Sequence, residues 1–310
     1  MKSLRIATRG SALAVWQANR VRDALEKSCG AACEIVVVKT SGDHLADASL
    51  EQMGLQGVFT KELEEALFSG RADIAVHSMK DVPTEFSNVC RILPVFCRDD
   101  PRDALISRNG ETLRNLPRGA RIATSSLRRG SQLRAFRRDF EIVEMRGNVD
   151  TRIRKLEGGA CDAIVLAKAG LDRLGLSTRV TELLAPEIML PAVGQGVLCV
   201  EFMEACGDHF IFLDRLADHD TMLAVRAERA LLAKLQGGCR VPLGAWARFK
   251  DGKLTLDACV LAADGSESVR RRGADACESA AEAQSLGERV AGQLLDAGAD
   301  RLLRLVGRPV

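Results

Sequence analysis

Five short stretches of this 310-residue chain combine residue types that can do chemistry. The most reactive is Gly237-Gly238-Cys239-Arg240-Val241-Pro242. Glycines let a loop adopt unusual angles and expose its backbone, and a neighbouring cation favours thiolate. A thiol so placed is a nucleophile or an attachment point. The alternative is a buried, inert cysteine, a common fate of that residue. A second stretch, His77-Ser78-Met79-Lys80-Asp81-Val82-Pro83, offers a carboxylate that can stabilise a cation or shuttle a proton. The competing account of Asp81 and Lys80 is a plain ion pair. Pro83 biases the residue before it towards extended backbone and so sets the direction of this loop.

The other three stretches are suited to anions. Thr8-Arg9-Gly10-Ser11 and Thr124-Ser125-Ser126-Leu127-Arg128-Arg129 each join a strand-like run to a helical one. Amides and hydroxyls at a helix N-terminus receive negative charge, and an adjacent guanidinium forks onto a carboxylate. Ordinary capping beside surface arginines is the rival account. Arg146-Gly147-Asn148-Val149-Asp150-Thr151-Arg152 puts two more arginines around a tight turn, aimed at the same cleft or at solvent.

Hydrophobic periodicity supplies the elements that position these stretches. Strands are expected at 4–8, 34–39 and 72–77, with helices over 11–27 and 60–69, the second with Thr60 as N-cap. A second set of strands is expected at 103–107, 121–125, 140–145 and 162–167, with helices at 126–137, 150–157 and 168–174. Alternation of this kind implies sheets faced by helices. Residues 197–202 read as one more strand. Beyond residue 218 the pattern becomes a helix over 219–235 and three strands near 244–249, 253–261 and 266–271. Asp251-Gly252 and Asp264-Gly265 are hairpin-turn dipeptides between those strands. Helices over 278–297 and 299–306 close the chain. The segment 40–57 has little periodicity and three glycines, as in a loop or flap. Physical patterning thus predicts two α/β domains and a small α+β domain, with ligand bound in a cleft at the carboxyl ends of strands.

Composition excludes several classes. Lys and Arg total 44 against 42 Asp and Glu, and a net charge of +2 argues against nucleic acid as the main partner. No apolar run is long enough for a membrane span, and the N-terminus lacks the apolar core of an export signal. The ten cysteines include no CxxC pair and no histidine neighbours at zinc spacing. They are expected to be reduced core residues of a cytoplasmic protein, Cys239 excepted, and no metal site is expected.

Eight segments in order along nearly the whole chain, RIATRGSALAVWQ, HSMKDVP, TSSLRRGSQL, RGNVDTR, AIVLAKAGLDRLG, PAVGQG, HDTMLAVRAERALL and GGCRVPLG, resemble the porphobilinogen deaminase (hydroxymethylbilane synthase) family. The resemblance implies two α/β domains like those of periplasmic binding proteins and a small C-terminal α+β domain. Their expected extents are 1–96 with a return segment 197–215, then 97–196, then 216–310. It implies a dipyrromethane cofactor, one per chain, in thioether linkage to Cys239. It implies a transferase that deaminates porphobilinogen and joins four units head to tail into hydroxymethylbilane, in tetrapyrrole (haem) biosynthesis, with the protein a monomer.

Roles follow position by position. Asp81, Arg9, Lys80, Arg146 and Arg152 are the implied catalytic residues. Asp81, Lys80, Thr124, Ser126, Arg128, Arg129, Arg146 and Gly170, with Cys239, are implied to hold the cofactor. Arg9, Ser11, Arg146, Arg152, Arg173 and Gln195 are implied to bind substrate. Each added ring carries an acetate and a propionate, which gives the arginines a reason to cluster. The chain departs from the family in the flap, where Gln52 and Gln56 stand at positions often lysine, and at Ala7, Val197, Cys199 and Arg240. A non-catalytic pyrrole- or solute-binding relative is the alternative function.

Overall fold

The structure is a computed structural model that describes residues 3–30, 32–39, 60–84, 89–235 and 241–305. Gln52, Gln56 and the expected flap at 40–57 lie outside the described residues, as do Cys239 and Arg240.

Strand β1 (Leu4–Arg9) leads into helix α1 (Ala12–Cys29). Ser11 caps that helix, its hydroxyl accepting from the Ala14 amide at 3.3 Å, a contact of about 1 kcal/mol. Gly30 ends it in the left-handed region at φ 63°, donating to Glu26 O. Strand β2 (Cys33–Val38), helix α2 (Lys61–Phe68) and strand β3 (Ile74–Ser78) follow, and a single 3₁₀ turn, Met79–Asp81, carries the chain off β3. Thr60 does stand at the start of α2, but its side chain makes no capping bond. Strand β4 (Cys90–Val95) is absent from the sequence reading. Its Pro94 counts against a strand interior, but β4 lies at the edge of its sheet, where proline is tolerated.

The next segment repeats the plan. It runs β5 (Asp103–Ser107), β6 (Arg121–Ala123), α3 (Leu127–Phe136), β7 (Glu141–Val143), α4 (Val149–Glu157), β8 (Ala163–Ala167), α5 (Lys168–Arg173) and the two-residue β9 (Glu182–Leu183). Ser126 caps α3 by accepting from the Arg129 amide. The chain then forms β10 (Leu198–Met203).

The two five-stranded sheets share one topology. Their orders are β2-β1-β3-β10-β4 and β7-β6-β8-β5-β9. In each, the fourth strand runs antiparallel to both neighbours, and in the first sheet it comes from a part of the chain remote from the other strands. In the first sheet that strand is β10, in register with β3 as Cys199↔His77 and Glu201↔Ala75. Ile6, Ile74 and Val200 pack with Val21 and Leu25 of α1 on one face. Ala7 and Ala75 pack with Leu63 and Leu67 of α2 on the other. The second sheet is likewise covered on both faces, by Leu105, Ile122 and Leu133 on one and Ile106, Ile164 and Leu156 on the other.

The C-terminal part is α+β. Helix α6 (His219–Lys234) precedes the antiparallel sheet β11 (Leu243–Lys250), β12 (Lys253–Leu261), β13 (Ser268–Asp275), and helices α7 (Ala280–Asp296) and α8 (Ala299–Leu305) complete it. Asp251 and Gly252 both have positive φ, 51° and 72°, as a two-residue hairpin requires. Ser279 and Glu282 form a reciprocal capping box at the start of α7. The residues gather into two compact units, Met1–Asp99 with Val197–Met222, and Asp100–Gly196 with Leu223–Val310.

Candidate functional site

In the first unit the predicted residues meet at the carboxyl end of the sheet. Arg9 ends β1, Ser11 caps α1, and Asp81 closes the turn after β3. All three line one open hollow, together with Gln17, Thr60 and His77. Gln17 Nε2 donates to Ser78 Oγ at 2.9 Å and ties α1 to the end of β3. The turn is fastened from the other side, where the Met79 amide donates to Val197 O at 2.9 Å. Asp81 is exposed and Lys80 half-buried.

One lining residue, His77, belongs to a pair the sequence reading did not single out. His77 Nε2 and Glu201 Oε2 are 2.7 Å apart, with side chains 4% and 0% exposed. Glu64 of α2 and Cys90 of β4 feel the same carboxylate. Burial first, then the Glu201 charge, pushes the Glu64 carboxyl up, and the same two causes push the Cys90 thiol up to about 12.

The second unit holds the arginine cluster. Arg128 and Arg129 open α3, are both buried, and converge on the fully buried Asp103 at the start of β5. Arg128 Nη1 reaches Asp103 Oδ2 at 2.6 Å and Leu190 O at 2.7 Å. Arg129 donates from Nε and Nη2 to Oδ1, and from Nη1 to Val165 O. Gln195 adds a third donor to Oδ1 at 3.0 Å. Burial pushes the Asp103 carboxyl up, but the two guanidiniums outweigh it and hold the group well below the usual carboxylate range. Burial pulls the Arg129 guanidinium down.

Arg152, on α4, donates from Nε to Gly147 O at 2.7 Å. It has no carboxylate partner among the described residues. Burial, then repulsion from Arg129, brings its guanidinium down to about 10. Two guanidiniums, Arg128 and Arg129, thus share one carboxylate, Asp103, and a third, Arg152, near enough to Arg129 to be repelled by it, has none. Nε and Nη2 of Arg128 bond to no described residue. Such a surplus of desolvated positive charge, near the capped start of α3, fits a group carrying several carboxylates.

The remaining predicted residues are spread around this cluster. Thr124 is buried, and its hydroxyl accepts from the Ser126 amide at 3.2 Å. Gly170 and Arg173 are buried on α5, and Arg173 Nη2 donates to Gly196 O at 3.1 Å. Arg146 turns to Glu144, donating to Oε1 from Nε at 2.8 Å and from Nη2 at 2.7 Å. Asp103 was missed. Its only signal in the sequence is an acidic residue at the head of an otherwise apolar strand, DALIS.

Among the described residues no group of three or more His, Cys, Asp or Glu side chains is placed to hold a metal ion. No described helix is long and apolar enough to cross a membrane. Of the eight cysteines whose burial is described, Cys90, Cys161, Cys199, Cys259 and Cys277 are buried, Cys33 and Cys206 are half-buried and Cys97 is exposed.

Residues 4–209 match the family described as "Porphobilinogen deaminase, dipyromethane cofactor binding domain", and residues 222–296 match "Porphobilinogen deaminase, C-terminal domain". The porphobilinogen deaminase of Syntrophobacter fumaroxidans is 46% identical over 306 residues, 98% of each chain. Among solved structures, the VFT2 domain of Bordetella pertussis BvgS aligns with a TM-score of 0.44 at 14% identity, over 69% of this chain and 86% of that one. The periplasmic sulfonate-binding protein SsuA of Methylobacillus flagellatus aligns at 0.40 and 16% identity, over 76% and 68%.

Proposed function

Since the chain belongs to the porphobilinogen deaminase family, we propose that Asp81, with Arg9 and Ser11, forms its reaction pocket and that the arginine cluster of the second unit receives the carboxylates of cofactor and product. The chain is a hydroxymethylbilane synthase, a transferase of tetrapyrrole biosynthesis that deaminates porphobilinogen and uses a dipyrromethane cofactor. When bound, dipyrromethane supplies the pyrrole carbon from which the product chain grows.

The residues divide the work by charge. Positive charge develops on pyrrole nitrogen in each round, and the exposed Asp81 carboxylate, held by the short turn after β3, lowers that barrier electrostatically. Lys80 on the same turn and Thr124, Ser126, Gly170, Arg128, Arg129 and Arg146 of the second unit hold the cofactor, with Cys239 as its anchor. Arg9, Ser11, Arg146, Arg152, Arg173 and Gln195 bind substrate and the growing chain. The domains run 1–96 with 197–215, 97–196 and 216–310, and the passage of β10 into the first sheet supports the return segment. The protein acts as a cytoplasmic monomer.

One observation carries this reading. Two buried guanidiniums share a single carboxylate and a third beside them, Arg152, has none among the described residues, an arrangement that is complete only with further negative charge. The test is the intact mass of the purified protein beside Cys239→Ser. A native chain heavier than its sequence by two deaminated porphobilinogen units, with the variant at its sequence mass, establishes the anchor. A native chain at sequence mass, from a host that makes porphobilinogen, removes it.

A further inference from the structure

We propose that His77 is a second acid–base residue of the reaction pocket and that Glu201 positions it. The proposal rests on the assignment of the Asp81 hollow as the place of reaction. His77 lines that hollow four residues before Asp81, at the same end of β3. Nε2 is committed to Glu201 Oε2 at 2.7 Å. Nδ1 bonds to no described residue. Glu201 is completely buried, and its other oxygen, Oε1, has no hydrogen-bond partner among the described residues. A buried carboxylate with one oxygen left over is costly unless its charge is used. Here its visible use is to hold one imidazole in one tautomer, with Nε2–H donated to Glu201 and Nδ1 left as the acceptor.

The register explains why the pair exists. β10 runs antiparallel to β3, with Cys199 opposite His77 and Glu201 opposite Ala75. Ala75, His77 and Glu201 therefore share the face covered by α2, and the return strand delivers the carboxylate to the imidazole. Other titratable groups surround it. Glu64 comes from α2, Cys90 from β4, Asp81 and Lys80 from the turn after β3, and Arg9 from the end of β1.

The proton count of the reaction gives such a group a task. In each round the C–N bond breaks and ammonia leaves with its electron pair, a C–C bond forms at a pyrrole carbon, and the C–H bond of that carbon breaks to release one proton. Neutral His77 takes that proton on Nδ1, the imidazolium is stabilised by Glu201 across Nε2, and the proton then passes to water in the hollow. Asp81 remains the counter-charge throughout.

The experiment uses cofactor-loaded protein with ¹⁵N-labelled histidine, with the four histidines assigned through His77→Gln. The expected result is a His77 signal in the Nε2–H tautomer whose Nδ1 shift moves when porphobilinogen is added. Glu201→Gln keeps a hydrogen-bond acceptor but removes the charge. It should release the tautomer, so that the ¹⁵N signals of His77 report a mixture of Nε2–H and Nδ1–H forms. His77→Gln should cut kcat by about 100-fold with KM little changed and the cofactor mass retained. A His77→Gln protein with wild-type kcat and pH profile overturns the proposal, as does an Nδ1–H tautomer in the native protein. If His77→Gln fails to fold, the tautomer of the native protein and its release in Glu201→Gln decide. Asp81→Asn separates the two readings, because full activity there removes the pocket itself, whereas an inactive Asp81→Asn beside an active His77→Gln removes only the role of His77.

Discussion

Arg129 donates from both Nε and Nη2 to a single oxygen of Asp103, at 3.0 and 2.7 Å, and leaves the other oxygen to Arg128. The carboxylate therefore aligns two guanidiniums side by side against their mutual repulsion. Removing it leaves two buried cations with no counter-charge. Asp103→Asn is expected to destabilise the protein by about 3–5 kcal/mol in urea unfolding near neutral pH. The folded carboxyl lies below its unfolded value of about 3.9, so its contribution is complete above that pH and is lost as pH falls through the folded value. The gap between wild type and variant should be constant from about pH 8 to pH 5 and begin to close only below about pH 4.

Arg152 has the opposite sign. A guanidinium brought down to about 10 is more comfortable in the unfolded chain than in the folded one. That penalty is present in full at neutral pH and fades only as pH rises past the folded value. With no cofactor bound, in a Cys239→Ser background, Arg152→Gln should raise stability by about 1 kcal/mol, net of the lost bond to Gly147. In the Cys239-containing protein the same change should weaken binding of the carboxylate-rich product chain. A matching loss of stability in the cofactor-free background would show that Arg152 is a structural residue.

Asp81 is exposed, and its carboxylate bonds to no described side chain. Its replacement should therefore cost the fold little, within about 0.5 kcal/mol for a surface site. Asp81→Asn keeps the shape and removes only the charge. Turnover should fall by at least about 100-fold while the melting temperature stays in place. Measuring both on one preparation separates lost chemistry from lost folding.

The parts legible from the sequence were those that local pattern encodes. The β-branched run CEIVVV, the apolar DALIS and the Asp251-Gly252 turn each carry their conformation within a few residues. What escaped depends on residues far apart in the chain. Asp103 meets Arg128 and Gln195 across separations of 25 and 92 residues, and His77 meets Glu201 across 124. No short window of sequence contains any of these three pairs. Family motifs located the arginines but not the carboxylate that orders them. β4 was lost for a related reason, because only the assembled sheet shows that Pro94 lies on an edge strand. The two-residue β9 is too short to show any period.

The C-terminal part offers a test of packing with a change of sign along one helix. A Cβ added at Gly287 of α7 would lie 2.2 Å from Ala227 O and 2.9 Å from Ala230 Cβ, both on α6. Neither neighbour is a flexible side-chain tip that can swing away, so the two helices must separate. Alanine gains about 1 kcal/mol over glycine in a helix interior, and overpacking here should exceed that gain. Gly287→Ala is expected to destabilise by about 1–3 kcal/mol net. Gly292, five residues on in the same helix, has only Lys234 Nζ within reach, at 3.8 Å. There the backbone term stands alone, so Gly292→Ala should stabilise by about 0.5–1 kcal/mol. Denaturant midpoints of the two variants should therefore move in opposite directions from wild type. Movement in the same direction would mean that α6 and α7 pack less closely than the 2.2 Å approach at Gly287 requires.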